Sequence, residues 1–292
     1  MPVLSIVLCR MLEDEVVHLL SADRGVAEIL LVDRIESMSL SAKLKALGRP
    51  HITLALPQIE ERLTELQKSR SLRPPEGLLS RCLGRLRPKR PGCTSHLTVV
   101  ASPLRIGLHT SLERLKAAVY DDIRRLSAFS DGILIFYGKC GNSLADLEKD
   151  FSDLSCPLYF LADESGERID DCIAAALGGN EVYARTLTEH QDVALFLTPM
   201  WAANWKAMDR EEAASGSRRD LADMLRGTVM SRVAKIDTGI CYEKGFDENV
   251  VAFARQFGLE EIALAGGAAV AKKSYDRAKE RLVEGRAEHG DR

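Results

Sequence analysis

Four residues with reactive side chains each follow a short apolar run of the sequence: Cys9, His109, Cys140 and Cys172. If those runs are neighbouring strands of a parallel sheet, the four side chains meet at the carboxyl ends of the strands, where such sheets bind ligands. Three thiols and one imidazole suit zinc or another thiophilic metal, and an iron–sulfur cluster is a chemical alternative. A free cysteine can also simply fill space in a core, so each thiol has two interpretations.

Cys140 lies in a turn between two glycines, Gly138 and Gly141, directly after an apolar run. Glycine permits sharp bends of the backbone and the close approach of another group. The group that we expect there is a metal shared with the other thiols, and we therefore assign both glycines to the cofactor site. Tyr137 and Asn142 flank this turn and are candidates to contact the substrate.

Asp171 and Trp201 complete the candidate site. Asp171 lies at the start of a predicted helix, where a carboxylate can cap the helix, and it can alternatively orient a ligating histidine. Trp201 and Trp205 are four residues apart and share one helix face. Core packing is the default interpretation of this pair, and a place in the wall of a cofactor pocket is the more specific alternative. We assign Asp171 a catalytic role and Trp201 a place in the cofactor pocket.

Alternating strand-like and helix-like segments must position these side chains. The alternation predicts an α/β, Rossmann-like layered fold with a mainly parallel sheet flanked by helices, arranged in one or two α/β halves. The predicted strands cover residues 3–8, 27–32, 97–101, 104–106, 133–137, 157–161, 192–197 and 262–265, and the predicted helices cover 12–20, 54–68, 111–126, 143–151, 168–177, 199–208, 248–257 and 268–283.

The chain divides into a core, a C-terminal part and a tail. Residues 1–205 form the α/β core with the candidate site, residues 206–283 a C-terminal α/β part packed on the core, and residues 284–292 a polar tail. Residues 68–92 are a basic, proline-rich excursion from the core. A solvated surface insertion is the preferred interpretation of this excursion, because it lacks the aromatic side chains that stack on bases. Nucleic acid is therefore not an expected partner.

Composition narrows the class of protein further. The 292 residues are 46% hydrophobic and 28% charged, a composition that is ordinary for a globular protein. The net charge of -3 gives no reason to expect an anionic membrane as a partner. No apolar run reaches the roughly 18 residues of a membrane span, and the strand-like residues 1–10 without a charged n-region lead us to expect no signal peptide. The seven cysteines are dispersed without a CxxC pair, which argues against disulfides. We expect a cytoplasmic protein without a membrane partner.

Five segments carry motifs that resemble a known family. They are LCRMLEDEVVHLL from Leu8, GLHTSLERLKAAVYDDI from Gly107, ILIFYGKCGNSLADLE from Ile133, RIDDCIAAALGG from Arg168 and TPMWAANW from Thr198. The combination of a YGxCGN turn with a downstream DDCI helix resembles the domain of unknown function 1638 family, in particular its archaeal branch. The resemblance implies that the three thiols and His109 named above occupy the family's signature positions. It also implies a link to corrinoid methyltransferase systems and one-carbon metabolism in methanogens.

Three functions are compatible with these residues. The first is a metal-thiolate enzyme or accessory factor of methyl or thiol transfer, with a small thiol or methyl donor as substrate and a corrinoid protein or methyltransferase as partner. The second is a metal-free, racemase-like enzyme in which Cys9 and either Cys140 or Cys172 exchange a proton with the substrate. The third is a non-catalytic module that binds a corrinoid or a partner protein in the same crevice.

Overall fold

A computed structural model describes residues 1–71, 97–108, 111–214, 225 and 229–289. It confirms the predicted α/β class, with a six-stranded parallel sheet flanked by helices and a second, three-stranded parallel sheet. The strands are β1 (Val3–Leu8), β2 (Val26–Val32), β3 (Ile52–Leu54), β4 (Leu97–Pro103), β5 (Gly132–Phe136), β6 (Leu158–Phe160), β7 (Val193–Leu197), β8 (Arg232–Asp237) and β9 (Glu260–Ala265). The helices are α1 (Glu13–Ala22), α2 (Ser37–Ala46), α3 (Leu56–Ser71), α4 (Leu112–Leu126), α5 (Leu147–Asp150), α6 (Cys172–Leu177), α7 (Asn180–Glu189), α8 (Pro199–Ala214), α9 (Phe246–Phe257) and α10 (Ala269–His289).

The order of strands in the larger sheet is β3-β2-β4-β1-β5-β6. The connection from β1 to β2 runs towards one edge of the sheet, and the connection from β5 to β6 runs towards the opposite edge. The neighbouring strands β1 and β5 therefore flank a topological switch point, and the loops that follow them diverge. The diverging loops leave a crevice at the carboxyl ends of β1 and β5, and open parallel sheets bind ligands in crevices of this kind.

The larger sheet is covered on both faces, which explains why its central strands are continuous apolar runs. All six residues of β1 are buried. Leu4, Ile6 and Leu8 pack in the cluster that includes α1, α2 and α10, whereas Val3 and Val7 pack in the cluster that includes α3 and α4. This burial holds the end of β1, and with it Cys9, in a fixed position.

The helices α8 and α9 pack against each other through aromatic residues and share one buried cluster with Leu197 and Val233 of the smaller sheet. The Trp205 ring lies 5.1 Å from the Phe253 ring and 5.7 Å from the Phe257 ring. The next helix, α10, returns to the larger sheet, where Ser274 accepts a hydrogen bond from the backbone of Ala162. Position 205, the predicted end of the core, lies within α8, and the division into parts remains a prediction.

Several predicted elements differ from the observed ones. The helix predicted from residue 168 begins at Cys172, because the preceding residues bond to the Cys140 loop. The helix predicted over 143–151 is reduced to Leu147–Asp150, and the apolar run 104–106 is not a strand. Residues 284–289, predicted to belong to the tail, continue α10. Most of the 68–92 excursion lies outside the described residues. Within the described part of the chain, no helix is both long and apolar enough to cross a bilayer.

Candidate functional site

Three of the four predicted metal ligands line one cavity of about 230 Å³ at the β1–β5 switch point. They are Cys9, Cys140 and Cys172; the fourth, His109, lies outside the described residues. Asn142 is exposed and does not line the cavity. The other residues in its wall are Met11, Leu12, Leu112, Tyr137, Gly138, Gly141, Asp171, Ile173 and Trp201.

The three cysteines reach this cavity from three different elements. Cys9 follows β1, and its N–H donates to the Phe136 carbonyl at the end of β5, over 3.1 Å. Cys140 comes four residues after β5. Cys172 is the first residue of α6 and comes from the far side of β6. The sheet therefore fixes the first two thiols directly, and the third depends on how the loop before α6 packs.

The loop before α6 is joined to the Cys140 loop by backbone hydrogen bonds. The Lys139 N–H donates to the Ile169 carbonyl over 2.8 Å, and the Cys140 N–H donates to the Asp170 carbonyl over 2.7 Å. A Cβ atom on Gly138 would lie only 2.6 Å from the Asp170 carbonyl oxygen. The close approach that we expected at this glycine is thus made by the protein backbone. Gly138 also lines the thiol cavity, and its assignment to a cofactor site remains a prediction.

The turn around Cys140 has an unusual backbone conformation. Cys140, Gly141 and Asn142 have φ values of 46°, 64° and 64°. The left-handed region costs a residue with a Cβ roughly 1 kcal/mol or more, although asparagine visits it more readily than cysteine does. The Ser143 hydroxyl supports the turn by donating to the Cys140 carbonyl over 2.9 Å. Such strain is found preferentially at functional sites.

Each of the three sulfur atoms accepts hydrogen bonds that favour its anionic form. Cys9 is bonded by the backbone of Met11 and Leu12 and by the Tyr137 hydroxyl, and Cys140 by the backbone of Gly138. The indole Nε1–H of Trp201 donates to the Cys172 sulfur over 3.3 Å. Trp201 was predicted to line a cofactor pocket, and its indole nitrogen contacts one of the predicted ligands.

Burial and mutual proximity oppose ionisation of the same thiols. Burial is the main cause that raises the pKa of Cys9 to about 12, and it also raises the pKa values of Cys140 and Cys172. The neighbouring sulfur atoms raise the pKa values of Cys140 and Cys172 further, since each thiolate would repel the next. Without a nearby cation the three groups are therefore neutral thiols at neutral pH.

Asp171 acts as the helix cap that was one of its two predicted roles. Its Oδ1 atom accepts from the N–H groups of Ile173 and Ala174 over 2.8 and 2.9 Å. The Tyr183 hydroxyl also bonds to this carboxylate. Burial raises the pKa of the Asp171 carboxyl. These contacts fix the start of α6 and thereby the position of Cys172. The role of Asp171 in orienting a histidine remains a prediction.

The described side chains are not arranged around a common metal centre. Among these residues, no group of three or more histidine, cysteine, aspartate or glutamate side chains could hold an ion in its present geometry. The donor set itself, three soft sulfur atoms, fits zinc or an iron–sulfur cluster chemically. A corrin macrocycle does not fit, because the cavity is smaller than the range of about 300–1,000 Å³ typical for drug-sized ligands.

A buried charged cluster beside the site was not predicted. The Lys43 Nζ atom lies 2.8 Å from Glu13, 2.7 Å from Asp14 and 2.6 Å from Glu243. The neighbouring Glu15 is also buried, and burial raises the pKa of its carboxyl to about 7. In the sequence, Glu13, Asp14 and Glu15 lie in the first turn of a predicted helix, where the helix dipole favours acidic residues. The apolar residues on both sides of these acids were the signal in the sequence that they are buried. The lysine that pairs with them comes from α2 and follows only from the packing of that helix.

The fold and the cavity define an α/β protein with a parallel sheet and a thiol-lined pocket at its switch point. The family model described as Protein of unknown function (DUF1638) matches residues 103–275, more than half of the chain. The chain therefore belongs to this family, as the motifs predicted. No curated protein and no solved structure matches the chain significantly. The link to archaea and methanogens remains a prediction.

Proposed function

We propose that this protein binds zinc or an iron–sulfur cluster through Cys9, Cys140, Cys172 and His109. The observation that supports the proposal most is the conflict around the three sulfur atoms. Each sulfur accepts a hydrogen bond that favours the thiolate, yet burial and neighbouring sulfurs disfavour it. A bound cation would resolve the conflict, because it compensates the negative charges that burial penalises.

The proposal requires a change in side-chain geometry. Because the described residues do not surround a common centre, at least one of the three cysteine side chains in the cavity wall must rotate so that the sulfur atoms face one point. His109 is included among the proposed ligands because residues before and after it in the sequence line the same clefts as the cysteines. Leu108 lines a small cleft together with Cys9, and Leu112 lines the thiol cavity.

We propose methyl or thiol transfer in corrinoid-linked one-carbon metabolism as the reaction class. A thiolate-bound metal lowers the pKa of a substrate thiol and so makes it a nucleophile at neutral pH. The buried apolar side chains of Met11 and Ile173 in the cavity wall limit the access of water to the reacting groups. Tyr137 and Trp201 orient the sulfur atoms of Cys9 and Cys172.

The volume of the cavity limits the partners in this proposal. A small thiol or methyl donor fits about 230 Å³, but a corrin ring does not. A corrinoid protein or methyltransferase would therefore present its cofactor at the mouth of the cavity as a partner. The support for this context is the resemblance to the corrinoid-linked family, and the metal site does not depend on it.

Elemental analysis tests the metal site. The full chain is purified without oxygen or added metal as wild type, Cys140→Ser and the control Cys241→Ser, whose thiol is exposed and outside the cavity. We expect about one zinc or several irons per chain in wild type and in the control, and a loss in Cys140→Ser. A folded, metal-free wild type would refute the proposal.

A second candidate is metal-free acid–base catalysis by Cys9 and Cys140. It is favoured by one observation, that these two thiols follow adjacent strands and line the same cavity. Their raised pKa values count against it, because a general base works best with a pKa near the operating pH. Alkylation rates at neutral pH separate the candidates, since a catalytic thiolate in metal-free protein would react rapidly.

A further inference from the structure

A second cleft, of about 220 Å³, lies at the outer edge of the larger sheet between β6 and α10. Three arginines line it: Arg168, Arg277 and Arg281. Among the described residues that line this cleft, Glu148 is the one acid. Three arginines against one glutamate give the lining a net positive charge. This cleft is separate from the thiol cavity, with which it shares no lining residue.

Two of these arginines have no counter-ion among the described residues. Arg277 and Arg281 are four residues apart on α10, which places them on one helix face. Neither forms an ion pair with a described carboxylate, whereas Lys272, Lys273 and Lys279 of the same helix all do. Among the described side chains of α10, the cleft thus gathers the positive charge that no described carboxylate pairs with.

Arg168 is held rigidly at the same cleft without losing its charge. Its guanidinium stacks over the Phe160 ring, 4.0 Å from the ring centroid. Its terminal nitrogens donate to the backbone carbonyls of Ala145 and Leu144 over 3.0 and 2.9 Å. These hydrogen-bond partners are neutral, and the Glu148 carboxylate acts on the guanidinium through its charge without an ion pair within 4.0 Å. The cation is therefore available to an anion, and little side-chain entropy is left to lose.

The edge of β6 adds backbone donors. β6 is the last strand in the order of the described sheet. The Ile133 N–H bonds to the Pro157 carbonyl, so the alternate residues Leu158 and Phe160 direct their N–H groups away from β5. Ala162, two residues further on, follows the same pattern and bonds to Ser274 of α10.

We propose that this cleft binds the phosphate group of a small phosphate ester or of inorganic phosphate. Three guanidinium groups and two strand N–H groups match a group with several oxygens and two charges. A monocarboxylate would leave much of this donor set unused. The proposal does not rest on the metal site and would stand if that site were absent.

Isothermal titration calorimetry of the full chain tests the proposal, with inorganic phosphate and glycerol 3-phosphate as separate probes. The variant is Arg277→Gln combined with Arg281→Gln, and the matched control is Arg185→Gln, an exposed arginine of α7. We expect saturable binding of at least one probe. Affinity should fall about tenfold or more in the double variant, as loss of hydrogen bonds to charged groups predicts, and remain unchanged in the control.

The two probes also distinguish the source of the phosphate. Tighter binding of glycerol 3-phosphate would support an ester as the ligand, and equal or tighter binding of inorganic phosphate would support the free ion. Absence of saturable binding by either probe would overturn the proposal. Equal affinities of wild type and double variant would overturn it as well, because the site would then lie elsewhere.

Discussion

Replacement of Gly138 by alanine should destabilise the protein and displace the Cys140 loop. The new Cβ atom would lie 2.6 Å from the Asp170 carbonyl oxygen and 2.7 Å from the Asp171 Cα atom. Both are backbone atoms, so the two loops must separate. Overpacking of this kind costs about 1–3 kcal/mol, and each of the two backbone hydrogen bonds between the loops contributes about 1 kcal/mol. We expect a total loss of about 3–5 kcal/mol.

Thermal unfolding followed by circular dichroism measures this loss. At about 2–4 °C per kcal/mol for a chain of this size, the melting temperature should fall by about 6–20 °C. Gly267→Ala is the matched control, since a Cβ there meets no atom within 4 Å, and its stability should change by about 0.5 kcal/mol or less. If Gly138→Ala melts within a degree or two of the control, the close approach of the two loops is wrong.

Three further substitutions test the cluster beside the site and the contacts of the sulfur atoms. Lys43→Met leaves three carboxylates without their buried partner, so we expect a loss of about 3–5 kcal/mol in urea unfolding, against about 0.5 kcal/mol or less for the exposed Lys272→Met; equal losses would contradict the burial of the cluster. Glu15→Gln removes a carboxyl whose pKa burial raises to about 7. Its contribution to wild-type stability is present below its ordinary pKa and is lost as the pH rises through 7. The variant should therefore gain about 3 kcal/mol on wild type between about pH 5 and about pH 8, and a pH-independent difference would refute the raised pKa. Trp201→Phe removes the N–H donated to Cys172 and should weaken zinc binding about 10- to 100-fold in a chelator competition, whereas unchanged affinity would exclude that hydrogen bond from the metal site.

The sequence was informative where a local pattern determines structure. The apolar runs that became β1 and β5 are buried from both faces of the sheet, so their composition alone identified them. Since parallel strands end at one edge, Cys9 and Cys140 could be placed together from sequence. A serine at the start of a helix is a typical cap, and the hydroxyl of Ser111, the first residue of the predicted helix 111–126, accepts from the Arg114 N–H.

Features that depend on distant partners could not be predicted. Gly138 meets residues more than thirty positions away, and nothing near it in sequence indicates that contact. The helix α2 was not predicted, although its Lys43 organises the buried acids of α1. The role of Trp201 as a hydrogen-bond donor to Cys172 likewise follows from the packing of α8 against α6.

X-ray absorption spectroscopy of the bound metal, in wild type and in Cys140→Ser, tests the central claim most directly. The metal-thiolate site predicts sulfur in the first coordination shell, at about 2.3 Å if the metal is zinc. It also predicts that Cys140→Ser loses one sulfur or loses the metal altogether. A shell of oxygen and nitrogen alone, or a spectrum unchanged in Cys140→Ser, would contradict the assignment of the three cysteines as ligands.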